Sequence, residues 1–387
     1  MSFPRSTGYK APLREAVLAL ALIVLSATGC RTTAPAAIEA APWITGWDKP
    51  EANPVLSADS TYRFVDPHSG AGVAWQRADV FNPGAVTQGD SVYLLFRAED
   101  DPAARLGHRT SRIGLAASAD GLAFVRDAQP VLYPDPDDAS AAYEYPGGCE
   151  DPRVVRTPEG RFLMHYTAWN RDVARLSVAT SDDLRTWTKH GPAFEHAYGG
   201  RFHDTWTKSG SVVCGLDDDG HLVAAEIDGR YWMYWGDAVV GLAYSDDLLD
   251  WTPVLNADST LFDPLPRRPG HFDSGLSEPG PPAILTEAGI LVLYNGKNAE
   301  QDSLRDRAIP AGAYCTGQAL FDATDPSRLL ARQGEPFLKP DLPHEITGQY
   351  ASGTTFAEGL VRFRGRWWLY YGTADSMVGV AVAGTAD

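Results

Sequence analysis

The sequence predicts an all-β fold, a five-bladed β-propeller. Three observations predict it: an aromatic, strand-like segment recurs five times, a polar turn motif interleaves with it, and amphipathic helical periodicity is nearly absent after residue 40. The aromatic segments are DSVYLLFRAED at 90–100, GRFLMHYTAW at 160–169, GRYWMYWGD at 229–237, AGILVLYNGK at 288–297 and GRWWLYYGTAD at 365–375. Their last aromatics, Phe96, Tyr166, Trp235, Tyr294 and Tyr371, are spaced by 70, 69, 59 and 77 residues. Repeats of that length built from short strands point to propeller blades. A pair of β-sandwiches is the competing architecture. The shortage of helices argues against an α/β barrel.

The turn motif runs SADGLAF from Ser118, TSDDLRTW from Thr180 and YSDDLLDW from Tyr244, with a looser LFDATDP from Leu320. Each is an Asp- or Gly-based turn, and in the first three a final aromatic returns to the core. A third element precedes every aromatic strand: NPGAV from Asn82, EDPRVV from Glu150, KSGSVV from Lys208, EPGPPAIL from Glu278 and TTFAEGLV from Thr354. These are expected as the innermost strands, whose first residues converge on one end of a central channel. That places Asn82, Glu150, Asp151, Lys208 and Glu278 together, joined from the ends of the aromatic strands by Arg97, Asp237, Asn295 and Asp375. Single Asp and Asn residues before strands usually serve turns. Several carboxylates in one channel mouth are costly unless they serve a site.

The first 30 residues read as an address. Arg5, Lys10 and Arg14 precede an apolar run from Ala16 to Leu25, followed by Ser26-Ala27-Thr28-Gly29-Cys30. The run is too short to cross a membrane as a helix and suits a signal peptide over 1–29. The small residues before Cys30 resemble a bacterial lipobox, which implies cleavage and lipidation at Cys30. Residues 30–50, with an Ala-, Thr- and Pro-rich stretch to Pro42, are expected as lipidated cysteine and tether, and 51–387 as the catalytic propeller. The expected location is the periplasmic or cell-surface face of a bacterial membrane, held by the lipid alone. Loss of residues 1–29 takes the formal charge from −17 to −19. A surface that acidic repels nucleic acid and anionic headgroups. Cys149, Cys214 and Cys315 form no close pair, and CxxC and HExxH patterns are absent, so neither a disulfide scaffold nor a zinc site is expected.

NPGAV with LLFRAED, GCEDPRVV, HYTAW with ATSDDLRTW, PGPPAIL with LVLYNG, and LYYGTADSMVGVAVA together resemble glycoside hydrolase family 130, from about residue 75 to the C-terminus. The resemblance implies a five-bladed propeller acting on manno-oligosaccharides without a cofactor, in most members as an inverting β-mannoside phosphorylase and in a smaller branch as a β-1,2-mannosidase. It implies that Asp151 is the general acid, working through the sugar's own 3-hydroxyl. It also implies that Asn82, Arg97 and Asp375 hold mannose in the −1 subsite, and that Glu150 faces the next sugar. An ion pair with Glu99 or Asp100 is the alternative use of Arg97. Phosphate would want cations on the third and fourth repeats. There Lys208 stands against Asp237 and Glu278, either of which suits a general base for water, with Glu226 as a third candidate. Export also favours hydrolysis, since sugar phosphate made outside the cell is hard to use. Trp169, Trp206, Trp235 and Tyr145 are candidate stacking surfaces or plain core. His203 and His271 fall beside the third and fourth repeats. A non-catalytic glycan-binding lipoprotein and a family 43-type arabinosidase or xylosidase remain as other readings.

Overall fold

The computed structural model describes residues 42–105 and 107–384. Cys30 and the expected signal segment lie outside the described residues. The chain is all-β. Among the described residues, helix is confined to four residues, Ala141–Glu144, and one 3-10 turn, Pro343–Glu345.

Strand pairing organises the chain into five successive antiparallel meanders. Their first strands are Asp79–Gln88, Gly148–Arg156, Ser211–Leu216, the interrupted pair Leu276–Pro279 and Ala283–Thr286, and Thr355–Phe363. Each pairs with the aromatic strand that follows: Ser91–Glu99, Phe162–Trp169, Arg230–Trp235, Gly289–Lys297 and Arg366–Thr373. A third strand closes on each aromatic strand from its other side. The aromatics expected to mark the repeats are all buried, because they alternate onto faces covered by a neighbouring meander. Phe96 and Tyr370 meet in one apolar cluster, Leu95 and Tyr166 in a second, and Tyr234 and Tyr294 in a third. The insertion at 215–225 is a hairpin off the third meander, in which Cys214–Leu216 pairs with Leu222–Ala224.

The turn motif works by side-chain capping. The Ser118, Ser181 and Ser245 hydroxyls accept the backbone N–H three residues on, and Asp120, Asp183 and Asp247 each accept two more. Asp322 repeats the device in the fourth meander. The indoles of Trp187 and Trp251 then donate back to the carbonyls of Leu184 and Leu248, both at 3.0 Å. Short polar side chains that bond their own backbone are why the spacing is so regular.

Chain ends meet. Asp48 and Val382 exchange backbone hydrogen bonds, the Val55 and Val378 amides donate to the carbonyls of Val378 and Leu56, and Asn53 brackets Val380 with both its side-chain donor and its acceptor. Within the expected tether, Ile44 is held by Gln318, and Trp47 stacks on Phe337 at 5.3 Å. The fifth meander thus acquires its outer edge from the N-terminal segment.

Candidate active site

First strands approach one another closely. Val213 and Cys214 pair in parallel with Ala283 and Ile284, and a Cβ on Gly359 would press on the Pro83 carbonyl at 2.7 Å. Three of these strands carry an irregularity where chemistry-bearing residues sit. Asn82 (φ 48°) lies at a bulge between Phe81 and Pro83, Asp151 (φ 50°) at one between Glu150 and Arg153, and Glu358 at one between Ala357 and Gly359. Ser209 (φ 52°) and Asp375 (φ 53°) are also left-handed. A bulge re-aims a side chain that regular pleating would send to the flank. Left-handed non-glycine residues store strain that the surrounding pairing must hold.

Two glycines make the convergence possible. Gly148 (φ 116°) lies against Ser111, where a Cβ would overlap backbone, so the GCEDPR strand docks directly on its neighbour. A Cβ on Gly372, in YYGTAD, would overlap Asn82 Oδ1.

The result is a cavity of about 370 Å³ lined by eight of the nine residues expected to converge, Asn82, Arg97, Glu150, Asp151, Lys208, Asp237, Glu278 and Asp375, but not by Asn295. A larger, more open hollow of about 650 Å³ lies beyond the 100–110 loop and holds none of them. Arg97 is the hub. Its guanidinium donates to Glu99 (2.7 Å), Glu150 (2.8 Å), Asp151 (3.1 Å) and the Ser111 hydroxyl (3.1 Å), over the Phe81 ring at 4.7 Å. The ion pair with Glu99 and the site role therefore coexist. Asp151 also accepts from Asn82 Nδ2 at 2.9 Å, with Lys208 Nζ at 3.9 Å; Lys208 lies 3.6 Å from Glu150.

These contacts separate the carboxyl groups by charge state. Burial alone would raise Asp151, but Arg97, then Lys208 and Asn82, overcome it and hold it at about 2. Glu278 has the reverse balance. Burial, aided by the neighbouring Asp237 charge, outweighs Arg153, the Ser209 hydroxyl at 2.5 Å and Lys208, and pushes it to about 8. Burial likewise raises Asp375 to about 6 against Arg97. Asp237 is half-buried, and its carboxylate accepts from the Trp206 indole at 2.6 Å.

Glu226, the third base candidate, is exposed on the outer hairpin opposite Tyr231 and is not part of the cavity. His203 sits near Glu195 and Asp204, and His271 against the Gly334 carbonyl; neither lines the cavity. Trp169 and Trp206 do line it, as an edge-to-face pair at 5.4 Å. Trp235 is core against Phe194, and Tyr145 stacks on His68 at 3.9 Å. Asn295 bonds the backbone of Ala357 through both its amide atoms and is structural.

Sequence reasoning missed four contributors. Ser209 directly follows Lys208 in KSGSVV, as Asp151 follows Glu150 in EDPRVV, so position in the repeat was the available signal. Arg153 spans the Pro279 and Gly280 carbonyls and lies 3.1 Å from Glu358. Glu358 is fully buried, neither of its oxygens has a hydrogen-bond partner among the described residues, and burial pushes its carboxyl well above the usual carboxylate range despite Arg153. Tyr314 adds a hydroxyl wall near Glu278 and Asp375. In TTFAEGLV, Glu358 is indistinguishable from a surface acid.

The family model described as β-1,4-mannooligosaccharide phosphorylase, that of glycoside hydrolase family 130, matches residues 47–386. A 1,2-β-oligomannan phosphorylase of Thermoanaerobacter sp. (strain X514) is 30% identical, over 81% of this chain and 92% of that protein. The crystal structure of a glycosyl hydrolase from Bacteroides ovatus is 47% identical with a TM-score of 0.85, over 89% of this chain and 96% of that one. Another solved structure is described in the words that the GH130 family of mannoside phosphorylases contains glycoside hydrolases that target β-1,2 mannosidic linkages in Candida mannan. It is 47% identical with a TM-score of 0.86, over 89% of this chain and 97% of that one. Matched along nearly the whole of its packed length, the chain belongs to glycoside hydrolase family 130.

Proposed function

We propose that this chain is an inverting hydrolase of β-mannosidic, β-1,2 linkages, built as a five-bladed propeller and exported as a lipoprotein anchored through Cys30. One observation carries the hydrolytic reading: the cations lining the cavity are already engaged. Arg97 is shared among Glu99, Glu150 and Asp151, and Lys208 lies between Glu150 and Asp151. Arg153, beneath them, is spent on backbone carbonyls and Glu358. A phosphate dianion would face the Asp237 carboxylate with no uncommitted cation among these residues, and would be disfavoured there. Water meets no such barrier. The two solved structures that are 47% identical, one described as a glycosyl hydrolase, support the same reading. The five meanders and the parallel approach of first strands support the propeller.

In this mechanism mannose binds over Asn82, Arg97 and Asp375. Asp237 takes a proton from water as its oxygen attacks C1, and the bond from C1 to the leaving oxygen breaks on the opposite face. The leaving oxygen receives its proton from the sugar's 3-hydroxyl, which is resupplied by Asp151. Glu278 keeps its own proton, so Asp237 is the base of the pair. Asp151 must be protonated at that moment, although Arg97 and Lys208 favour its ionised form. A bound sugar acts on both sides of that balance. Its hydroxyls compete for the two cations, and its rings expel water, strengthening the burial effect that already pushes Asp151 up.

The test is product analysis of a β-1,2-linked mannobiose by anomeric NMR at zero and tenfold-varied phosphate. The expected result is α-mannose as the first-formed anomer at a rate independent of phosphate. α-Mannose 1-phosphate that rises with phosphate would establish phosphorolysis instead, the activity named for the 30% identical relative.

A further inference from the structure

We propose that Trp206 is a positioning residue for the general base: its indole N–H sets the Asp237 carboxylate, while its ring takes the face of the leaving sugar. The inference rests on reading Asp237 as the base. Among the described residues, the Asp237 carboxylate accepts one side-chain hydrogen bond, from Trp206 Nε1 at 2.6 Å. It needs that bond, because half-buried Asp237 stands at the start of an exposed loop. Gly236 (φ 126°) turns the chain immediately before it, and Ala238 and Val239 beyond it are exposed. A carboxylate placed there without a fixed donor samples several rotamers.

Trp206 is itself held from both sides. Thr207 bonds across to the second meander through its amide (Ala174 carbonyl, 2.9 Å) and its hydroxyl (Leu176 amide, 2.8 Å). The Trp206 ring meets the Trp169 ring edge-to-face at 5.4 Å, and Trp169 is in turn fixed by its own N–H to the Gly107 carbonyl at 3.2 Å. Lys208 Nζ lies 6.0 Å from the Trp206 ring centroid. Even so, Trp206 keeps 48% of its surface exposed while lining the cavity. A large aromatic left open at a polar cavity wall is suited to the apolar face of a pyranose. Its N–H is meanwhile committed to a carboxylate, a charge-assisted bond stronger than one to a carbonyl. One side chain therefore joins leaving-sugar occupancy to base geometry. A misplaced base loses rate far more than affinity, since the near-attack arrangement is needed only in the transition state.

The experiment measures kcat and KM on a β-1,2-linked mannobiose for Trp206→Phe, Trp206→His and Trp206→Ala, with Asp237→Asn alongside. Phe keeps a ring and removes the donor, and is expected to lower kcat about 10- to 100-fold with KM within about threefold of wild type. His restores a ring N–H and is expected to recover part of that kcat. Ala is expected to match Phe in kcat and also to raise KM. Trp206 is half exposed, so thermal melting should show all three variants folded. A Phe variant with wild-type kcat, or Phe and His variants that are indistinguishable, would overturn the positioning role while an inactive Asp237→Asn leaves the base reading standing. An Asp237→Asn enzyme with full activity would overturn the base reading, and this inference with it.

Discussion

Two carboxyl groups in one cavity are shifted in opposite directions, Asp151 down to about 2 and Glu278 up to about 8, because they divide the cations unequally. Arg97 and Lys208 both reach Asp151, while at Glu278 burial and the Asp237 charge outweigh Arg153, the Ser209 hydroxyl and Lys208. Asp151→Asn is expected to lower kcat about 10²- to 10⁴-fold on a disaccharide. It should cost far less on an aryl β-mannoside whose leaving group needs no proton, and comparing the two substrates checks the role. Glu278 is protonated below about pH 8, so Asp237 stands as the single charged base until the pH passes that value. Above it a second charge faces Asp237 and draws on Lys208. Wild-type kcat is expected to fall above pH about 8, and Glu278→Gln to lack that limb, in rate profiles from pH 5 to 9.5. Stability follows the same sign. A raised carboxyl binds its proton more tightly folded than unfolded, so stability falls as pH rises from about 4.5 to about 8. Across that window the Tm of Glu278→Gln should gain on wild type. Eight charged or amide residues of the cavity were legible from their places in the repeat, while Asn295, picked out the same way, proved structural and Tyr314 was missed. The charge states were not legible, because a proton affinity depends on which partners lie within a few ångströms.

Among the elements, the bulges of the first strands matter most. Regular pleating alternates side chains between faces and would turn Asn82, Asp151 and Glu358 to the flanks. The extra residue at each bulge aims them inward instead. Gly148 allows the second of these strands to dock on Ser111, which brings Glu150 and Asp151 to Arg97. Gly148→Ala is expected to destabilise by about 1–3 kcal/mol and to lower kcat, since the strands must part. Gly160→Ala, at a turn with open space around it, is expected to leave kcat unchanged; melting and kinetics on both variants check this. The turn motif was readable because its hydrogen bonds are local, within four residues. The bulges gave no comparable signal, because the misfit exists only between paired strands.

For the whole molecule, the decisive feature is closure. The N-terminal segment supplies the outer edge of the last meander, and among the described residues Ile44, Trp47, Asp48 and Val55 are packed there. Cys30 lies upstream of that packed segment. Cys30→Ser is expected to move the enzyme from the membrane fraction to the soluble fraction with kcat unchanged, read by fractionation and assay. A variant that stays with the membrane would remove the lipid-anchor reading. The strongly acidic chain would offer no electrostatic attraction to an anionic membrane in that variant.

The all-β class, the number and order of the repeats, the turns and most of the polar residues of the cavity could be read along the chain, because each is written in short-range periodicity and in side chains that bond their own backbone. Only the assembled strands settled which acids line the cavity, which cation each one holds, that Glu226 lies on the outer hairpin, that Ser209 donates to Glu278, and that Arg153 lies beside Glu358. Those outcomes come from pairing register and from burial between strands about 70 residues apart, such as those carrying Asn82 and Asp151. Distances across that gap set the electrostatics, and no local pattern records them.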